Sequence, residues 1–591
     1  MSSDPLHIRD SDTRAYRIDR LFFQRMYRLI YPYWNRKRKG VWKAWLILLT
    51  LLFSASAFSV AGGYFSYLVA DTTNALVEKK EVYWRLMIWM SFIGIMQTSA
   101  SLFLGYISAK LMLDWRSWLT EHLVNNYLDK RTYYEIQKDE FIDNPDQRIQ
   151  EEVAPFCSTM VGIPQFLLGA LMTVSIQASI LTHVSTSMFW AVVIYAAVNT
   201  LVTLWIYRPT IKQNWDKTVA SARLRSALMH LRDNAETVAF YRGEGSERMR
   251  LMERLAALAR VRMTIIYYSL TLATVEQVMS LVFTFLPIIF IVPLYFQGDI
   301  AYGTIDQSIA AAGMIVSGLS IVSGFIPVLT QTVPTVVRLA EINEKSQRLS
   351  QGEPDTQEAR IQHSENQIVS LRDVDMYTPG GEQCLVKGLS LDFPLGRHTV
   401  IVGRTGVGKS SLLRVMAGLW TRGQGEVAMP RREELLFIPQ RPYMVLTDLR
   451  SQLLYPQPED TVGDERMYAV FQQLGRPDFI DKHNGLDSVK DWRKVLSLGE
   501  QQLVAFARIL LSPPRYVFLD EASSAMDIET ERRAYGCLLA SGTTFISVGH
   551  RETILPFHQQ TLQLLPEGKW QTYPQAASVQ TDVTELIKRA V

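Results

Sequence analysis

Long, mainly apolar runs dominate the amino-terminal part of this sequence. Residues 44–70 and 86–109 contain no charged side chain, and at about 1.5 Å per helical residue each run can cross a hydrocarbon core of about 30 Å. Residues 153–207 contain no Lys, Arg, Asp or Glu and are long enough for two helices joined by the polar turn LTHVSTS. Residues 263–297 and 307–337 supply two more apolar runs. The sequence therefore predicts six membrane spans.

Composition excludes several other classes of protein. Hydrophobic residues make up 48% of the chain and charged residues 20%, which is too apolar for a string of ordinary soluble domains. The 61 basic and 58 acidic side chains leave a formal net charge of only +3, so we expect no nucleic-acid partner. The three cysteines, Cys157, Cys384 and Cys537, are too few and too scattered to predict a disulfide framework or a zinc cluster.

The distribution of basic residues predicts the orientation of the spans. Residues 208–262 are rich in Lys and Arg, and by the positive-inside rule both ends of the membrane part lie in the cytoplasm. Before the first span, RIDRLFFQRMYRLIYPYW places apolar and basic residues at helical spacing, which predicts a helix lying in the membrane interface. The charged stretches 110–152 and 208–262 predict spans that continue as helices beyond the membrane. The basic residues just before the first span are Arg36, Lys37, Arg38, Lys39 and Lys43.

A change of pattern after the last span predicts a second domain. Residues 341–366 are polar, contain Gly and Pro and have no apolar period, which predicts a linker. Residues 1–40 are then a cytoplasmic segment with the interfacial helix, and residues 41–340 a six-span transmembrane domain. In residues 367–591 the β-branched runs IVSL, TVIVG, YVFLD and TTFISVG alternate with helical ones, as in a mostly parallel α/β sheet.

A phosphate-binding loop lies in the second domain. The strand HTVIVG leads into a G-x-x-x-x-G-K-S sequence and then into the helical LLRVMAGL. Glycines let backbone N–H groups approach the β- and γ-phosphates of a nucleotide, Lys409 supplies a positive charge, and the Ser410 hydroxyl can bind Mg²⁺. The predicted nucleotide-binding residues are Gly403, Arg404, Thr405, Gly406, Val407, Gly408, Lys409, Ser410 and Ser411.

Two further segments carry groups suited to the same nucleotide. The run YVFLDE predicts a buried strand that ends in Asp520, which can hold Mg²⁺ through its water shell, and Glu521, which can orient and deprotonate an attacking water. The run VLSLGEQQ precedes the helical LVAFARILL. At the start of that helix the Ser497 side chain and the Gly499 amide can donate to a γ-phosphate.

Over essentially its whole length the chain resembles an ATP-binding cassette (ABC) transporter. The signature of that family is usually LSGGQ, and the LSLGE of this sequence departs from it at Leu498 and Glu500, while Leu503 replaces the usual Arg. Because Ser497 and Gly499 are retained, the resemblance implies an active ATPase in which this segment, Glu500 included, contacts ATP. It also implies an exporter-like, type IV fold for the transmembrane domain.

The resemblance assigns further residues of the nucleotide site. Gln440 in FIPQRPY matches the Q-loop, which senses Mg²⁺, and His550 in SVGHR matches the switch histidine that contacts the γ-phosphate. Asp527 ends SSAMD, which resembles the D-loop. Tyr377 stands where an aromatic side chain stacks on adenine. Because the chain has one cassette, and ATP in this family lies between two, the resemblance implies a homodimer of half-transporters.

Several segments resemble subfamily D of that family. The sequence at residues 142–149, the run at residues 232–244 and LSLGEQQ are similar to the lysosomal vitamin B12 half-transporter, the peroxisomal acyl-CoA half-transporters and bacterial SbmA/BacA-like proteins with an added cassette. The resemblance leaves three functions open. These are transport of cobalamin or a similar large hydrophilic solute, transport of fatty acids or acyl-CoA, and a membrane-anchored ATPase that gates or regulates without pumping.

The residues of the spans favour the hydrophilic solute. Gln97, Gln165 and Gln177 make a moderately polar, charge-poor interior possible, whereas the phosphates of an acyl-CoA would require several cations within reach. Four cations near the inner ends of the spans keep the acyl-CoA alternative open. They are Lys110, Arg116, Arg208 and Lys212. We expect membrane lipid and a small-molecule solute as partners, and a bacterial plasma membrane as the location.

Overall fold

The computed structural model describes residues 20–139, 142, 145–351, 360–378, 381, 383–457, 462–549 and 551–574. The predicted segment 1–19, part of the predicted linker and the predicted switch residue His550 lie outside those ranges. The chain divides into two compact units, Met1–Glu353 and Pro354–Val591.

Helices form the first unit. A 3₁₀ turn, Asp129–Arg131, and a π-helical segment, Arg148–Glu152, connect some of them. Ser185 caps one of the long helices, because its hydroxyl accepts a hydrogen bond from the Met188 N–H at 3.3 Å. The helices are α1 (Arg20–Trp34), α2 (Val41–Val77), α3 (Val82–Leu128), α4 (Thr132–Asp139), α5 (Pro145–Gln147), α6 (Val153–Val184), α7 (Thr186–Asp233), α8 (Ala235–Phe240), α9 (Glu244–Gln297), α10 (Tyr302–Leu319) and α11 (Ile321–Gln351).

Five helical stretches of the described residues are long and apolar enough to cross a membrane. They confirm, by length and composition, five of the six predicted spans. The break between the third and fourth lies at Ser185, inside the predicted turn LTHVSTS. The five stretches are Val41–Val77, Val82–Gln137, Pro145–Val184, Thr186–Asp233 and Glu244–Gln297.

The sixth predicted span, residues 307–337, is not one helix. The structure divides it into α10 and α11, which are separated at Ser320. Gly and Ser have weak helix propensities, and Gly318 stands beside this break. An added Cβ at Gly318 would lie 2.4 Å from Val174 Cγ2 of α6, so the position is also too crowded for a side chain. The sequence pattern did not indicate this division.

The predicted extensions of the spans are present as helices. Helix α3 continues to Leu128 and α7 to Asp233, and α9 already begins at Glu244, well before its apolar stretch. The charged residues 110–128 therefore continue the helix that contains the apolar run 86–109, and residues 208–233 continue the helix that contains the second half of the run 153–207. A helix satisfies its backbone hydrogen bonds internally, so it can continue outside a bilayer. The prediction of long helices outside the apolar runs is confirmed.

Helix α1 forms where the sequence predicted an amphipathic helix. Its Arg25 guanidinium donates two hydrogen bonds to the Glu344 carboxylate of α11, each of 3.0 Å. The buried Tyr33 donates its hydroxyl to Asp114 Oδ2 at 2.7 Å and stacks on the Trp115 ring with centroids 4.9 Å apart. These contacts join α1 to α3 and α11.

A buried ion-pair network joins the π-helical segment Arg148–Glu152, which precedes α6, to α11. Arg148 is only 3% exposed, and its Nη1 donates to Glu341 Oε2 at 2.6 Å and to the Arg338 carbonyl at 3.1 Å. Arg338 in turn pairs with Glu152 at 2.6 Å. Residues 142–149, which carry the subfamily D resemblance, therefore contribute a structural contact to the last helix of this unit.

The stretch predicted as a linker, residues 341–366, is structured at both of its ends. Helix α11 continues to Gln351, and a strand begins at Gln362. The helix continues because Ile342, Asn343 and Ser346 are buried on one of its faces. Polar residues on that face obscured the helical period in the sequence.

The second unit contains two sheets. A six-stranded sheet has the order β10-β9-β4-β8-β7-β6 and is parallel except for the β9–β10 pair. A four-stranded sheet has the order β1-β5-β2-β3 and is antiparallel except for the β1–β5 pair. The strands are β1 (Gln362–Glu365), β2 (Val369–Tyr377), β3 (Cys384–Phe393), β4 (Thr399–Gly403), β5 (Gly423–Met429), β6 (Leu435–Ile438), β7 (Tyr516–Asp520), β8 (Thr544–Val548), β9 (Gln560–Leu564) and β10 (Trp570–Pro574).

Three of the four predicted strand runs lie in the parallel sheet, as β4, β7 and β8. The fourth, IVSL, lies in β2 and therefore in the antiparallel sheet, which corrects the prediction. A short connection favours antiparallel pairing with the next strand, and only a few residues separate β2 from β3. The helices of this unit are α12 (Lys409–Met416), α13 (Leu449–Leu454), α14 (Asp464–Gln473), α15 (Phe479–Lys482), α16 (Trp492–Val495), α17 (Leu498–Leu511) and α18 (Ile528–Ala540).

The parallel pairing positions the predicted motifs. Strands β4, β8, β7 and β6 are consecutive neighbours in the sheet, so their carboxyl ends meet at one edge. The phosphate loop follows β4, Glu521 follows β7, His550 follows β8 by two residues, and Gln440 follows β6 by two residues. Four segments that are distant in the sequence therefore end at the same edge.

The Arg148 network predicts a stability effect. Arg148→Ala should destabilise the first unit by about 3 kcal/mol, because it leaves the Glu341 carboxylate without its buried partner. Replacing both Arg148 and Glu341 by Met should recover most of the loss, since neither charge then needs compensation. Thermal unfolding of the detergent-solubilised protein measures both. An equal loss in the single and double variants would contradict the role of the ion pair.

Candidate nucleotide-binding site

Two glycines fix the path of the phosphate loop between β4 and α12. Gly403 has a φ of 150°, and an added Cβ would lie 2.5 Å from the Leu564 carbonyl oxygen. Gly408 has a φ of 107°, and its added Cβ would lie 3.2 Å from Leu385 Cβ. A side chain at either position would displace the loop. Arg404, Thr405 and Gly406 form its exposed tip, and Val407 and Ser411 are half-buried.

Lys409 begins α12 with its ammonium group folded back onto the loop. Its Nζ donates to the Gly403 carbonyl at 2.8 Å and to the Arg404 carbonyl at 3.0 Å. Burial lowers the pKa of Lys409, and the nearby carboxylates of Glu521 and Asp520 oppose that shift. Phosphate oxygens at the loop would give the same ammonium hydrogens charged acceptors, which form stronger hydrogen bonds than carbonyls do.

The two residues predicted to bind Mg²⁺ through a hydroxyl and a carboxylate are in contact. The Ser410 hydroxyl donates to Asp520 Oδ1 at 2.7 Å, although the residues are far apart in the sequence. Oxygen ligands of this kind suit Mg²⁺, which retains water and takes phosphate oxygens as further ligands. Among the residues that the structure describes, no group of three or more His, Cys, Asp or Glu could hold a metal ion. The Ser410 hydroxyl and the Asp520 carboxylate are oxygen ligands that fit Mg²⁺.

Glu521 and Gln440 are also brought together. Glu521 has a φ of 48°, in the left-handed region, and its N–H donates to the Val548 carbonyl at 3.0 Å. The Gln440 amide donates from Nε2 to Glu521 Oε2 at 2.8 Å. A carboxylate held in this way at the end of β7 can accept a proton from a water that attacks a phosphate beside Ser410.

Glu500, the glutamate of the LSLGE segment, has a structural role at the start of α17. Ser497 is the N-cap of α17, and its hydroxyl accepts from the Glu500 N–H at 3.3 Å, while Glu500 Oε2 accepts from the Ser497 N–H at 3.0 Å. This is a capping box, which the spacing S-x-x-E indicates in the sequence. Lys482 Nζ donates to the other carboxylate oxygen at 2.8 Å.

These contacts change the acidity of Glu500 and define its role. Burial raises its pKa, but the hydrogen bonds from Lys482 and Ser497 outweigh burial and lower the pKa to about 2. Both carboxylate oxygens of Glu500 therefore have partners in this chain. Because the carboxylate is negative, it cannot donate a hydrogen bond to a phosphate. The Ser497 N–H and hydroxyl both donate to Glu500 Oε2, each at 3.0 Å, while the Gly499 N–H lies in the first turn of α17, where backbone donors suit an anion.

The structure describes two of the three other predicted residues, Asp527 and Tyr377. Asp527 caps α18 by accepting from the Thr530 N–H at 2.9 Å and from its hydroxyl at 2.7 Å, and these bonds lower its pKa. Tyr377 is half-buried at the end of β2, next to Met376, whose Cε would lie 3.3 Å from a Cβ at Gly408. His550 lies outside the described residues.

One buried residue of the site was missed in the sequence. Gln502 of α17 is fully buried, and its Nε2 donates to the Gln440 carbonyl at 3.0 Å while its Oε1 accepts from the Ala525 N–H at 2.9 Å. A glutamine that precedes the apolar run LVAFARILL was the signal available, because a buried amide needs partners. The sequence did not indicate which residues those partners are.

Comparison with known proteins identifies the family of both parts of the chain. Residues 38–296 match the family described as ABC transporter transmembrane region 2, and residues 386–524 match the family described as ABC transporter. An uncharacterized ABC transporter ATP-binding protein of Synechocystis sp. is 36% identical over 551 residues, which is 91% of this chain and 83% of that protein.

Two eukaryotic relatives are similar over most of their length. The protein named ABC transporter D family member 2, chloroplastic, of Arabidopsis thaliana is 28% identical, over 92% of this chain and 86% of that protein. The protein named lysosomal cobalamin transporter of Homo sapiens is also 28% identical, over 94% of this chain and 96% of that protein. The chain therefore belongs to the ABC transporter family, as a half-transporter of the subfamily D type that couples ATP hydrolysis to transport across a membrane.

Proposed function

We propose that two copies of this chain form a homodimeric transporter with six spans in each copy. Each ATP would lie between the phosphate loop of one copy and the Ser497–Glu500 segment of the other. Among the described residues, no hydrogen bond or ion pair links Ser497–Glu500 to residues 403–411 of the same chain. A nucleotide held by a second copy would meet the Gly499 N–H at the start of α17, and its phosphate would compete with Glu500 for the Ser497 donors.

The observation that carries the catalytic part of this proposal is the pair of contacts at the ends of β6 and β7. Gln440 holds Glu521 at 2.8 Å, and Ser410 holds Asp520 at 2.7 Å. Glu521 would orient the attacking water and take its proton. The backbone of the phosphate loop and Lys409 would bind the phosphates.

The remaining predicted residues have supporting roles in this proposal. Ser410, Asp520 and Gln440 would hold Mg²⁺, which, when bound, neutralises the charge that develops on the phosphate oxygens. Tyr377 would stack on the adenine, and His550 would contact the γ-phosphate. Asp527 would stand at the boundary with the second copy.

The sixth span in this proposal consists of α10 and α11 together. Five spans would leave the two ends of the membrane part on opposite sides, whereas an even number leaves both on the side of the basic residues before α2. Buried Gln307 and Ser308 and the small Ala311 and Ala312 give α10 a closely packed face, as helices inside membranes often have. The same even number supports an exporter-like, type IV fold.

For the solute we propose cobalamin or a similar large hydrophilic molecule. The human relative that is named a cobalamin transporter is similar over nearly the full length of both chains. The predicted spans are also poor in charge. A specific observation favours fatty acyl-CoA as the alternative, because Lys110, Arg116 and Lys212 have exposed side chains that could bind its phosphates.

We propose a bacterial plasma membrane as the location, with the cassette in the cytoplasm. The Synechocystis relative is 36% identical, against 28% for the plant and human relatives. The basic residues before α2 support a cytoplasmic position for both ends of the membrane part.

Glu521→Gln should slow ATP hydrolysis at least about 100-fold, since it removes the proposed base. Nucleotide affinity should stay within about twofold of the native value, because the phosphate loop is unchanged. Steady-state turnover and binding of a fluorescent ATP analogue measure the two. Glu567→Gln, the same substitution at an exposed ion pair with Lys569, is the control. Native turnover in Glu521→Gln would show that another group activates the water.

Lys409→Ala should weaken ATP binding itself by at least about tenfold, because the loop loses its charged donor to the phosphates. Titration with the same fluorescent analogue measures this, and Lys569→Ala, at an exposed position, is the matched control. Unchanged affinity in Lys409→Ala would contradict the assignment of the phosphate loop.

Cobalamin should raise the ATP turnover of the protein in lipid nanodiscs, with Glu521→Gln as the blank. Stimulation by a long-chain acyl-CoA instead would support the alternative solute. In sealed vesicles, ATP-dependent accumulation of the stimulating solute against its gradient would establish pumping. Turnover without accumulation would support the function of a gating or regulatory ATPase.

A further inference from the structure

The loop that follows Glu521 is held in place by residues that take no direct part in the proposed chemistry. It comprises residues 522–527 and connects β7 to α18. Within it, the Ser524 N–H donates to the Glu521 carbonyl at 3.1 Å and the Met526 N–H donates to the Ser523 carbonyl at 3.0 Å. Asp527 then begins α18. Any shift of this loop therefore acts on the backbone of Glu521.

Helix α17 holds one side of the loop. Gln502 accepts from the Ala525 N–H at 2.9 Å, and its Nε2 lies 3.3 Å from Ser524 Oγ and 3.4 Å from the Glu521 carbonyl oxygen. At Gly499 an added Cβ would lie 2.7 Å from the Ala525 carbonyl oxygen, so the start of the helix contacts the loop directly. The start of α17 and the loop are therefore packed directly against each other.

Arg551 holds the other side of the loop. Its Nη1 donates to the Met526 carbonyl at 2.8 Å and its Nη2 donates to the Ser524 carbonyl at 2.5 Å. Nη1 also lies 3.5 Å from Glu531 Oε1 of α18, and that glutamate is fully buried. A guanidinium group can hold two carbonyls and a carboxylate at once because its donors are fixed in one plane.

Glu531, the acidic partner of Arg551, also contacts Thr553. Glu531 accepts a hydrogen bond from the Thr553 hydroxyl, two residues beyond Arg551. Residues 551–553 therefore contact both the loop and the first turn of α18. Arg551 follows directly on His550, so the loop after Glu521 is tied to the segment that carries the proposed switch histidine.

We propose that Arg551 is a positioning residue for ATP hydrolysis. It sets the loop of residues 522–527, and through that loop it sets Glu521 relative to the start of α17. The described contacts of Arg551 are to Ser524, Met526 and Glu531, none of which belongs to the phosphate loop. It therefore affects the rate of hydrolysis and leaves nucleotide binding unchanged. This inference rests on the proposed role of Glu521.

The test compares Arg551→Gln and Arg551→Lys with the native protein in nanodiscs. Arg551→Gln should lower kcat about 10- to 100-fold, as a small misplacement of a catalytic group does. Arg551→Lys should lie between, because a single ammonium keeps the charge but does not span both carbonyls as the planar fork does. In both variants the affinity for a fluorescent ATP analogue should stay within about twofold of the native value.

The control is Arg372→Gln, which removes an exposed ion pair with Asp392 at the edge of the other sheet and should leave turnover unchanged. If Arg551→Gln does not fold, as its thermal unfolding would show, Arg551→Lys decides. Native kcat in a folded Arg551 variant would overturn the inference, as would nucleotide affinity that falls in proportion to kcat. If the native protein hydrolysed ATP no faster than Glu521→Gln does, the proposed function would be overturned, and this inference with it.

Discussion

The nucleotide site depends on the parallel pairing of β6, β7, β8 and β4. This pairing brings four carboxyl ends to one edge, and the residues that follow them, Gln440, Glu521 and the phosphate loop, are placed there by the backbone hydrogen bonds of the sheet. An error of one residue in the β6–β7 register would separate Gln440 from Glu521. Buried apolar side chains hold that register, because a shift by one residue would turn each of them to the opposite face.

A second constraint acts on the first unit. Backbone groups in hydrocarbon have no water to bond to, so a spanning segment must satisfy them within its own helix. The helices of this unit continue well beyond their apolar stretches, and at their ends polar contacts replace lipid. The pairs Arg25–Glu344 and Arg148–Glu341 are examples, and both join other parts of the unit to α11.

Much of the fold and the site could be predicted because their signals lie in short continuous segments. The phosphate loop, from Gly403 to Ser411, is contiguous, and so is each of the five confirmed apolar stretches. Asp520 and Glu521 follow a strand that its β-branched and aromatic residues already indicate. The capping box of Ser497 and Glu500 was not predicted, although S-x-x-E is its spacing, and the acidity of Glu500 depends on Lys482, which the sequence did not connect to it.

The features that the sequence did not indicate depend on contacts between distant segments. Gln502 and Arg551 lie beside familiar motifs, but their partners are backbone carbonyls and amides, and a sequence does not show where those point. The break of the sixth apolar run at Ser320 lies beside Gly318, which is packed closely against Val174 of α6, and the antiparallel position of IVSL follows from its short connection to β3. Each is a property of neighbours in space.

The pairing of Glu500 with Lys482 has a consequence for how this segment can vary among relatives. A glutamine at position 500, as in the usual form of the signature, would keep a carbonyl oxygen for the cap but would leave the Lys482 ammonium without its anion. That cation is half-exposed, so water would solvate it and the loss of the pair would cost little. Glutamine and glutamate at position 500 are therefore both compatible with a lysine at position 482, and the glutamate is distinguished by the negative charge that it places at the start of α17.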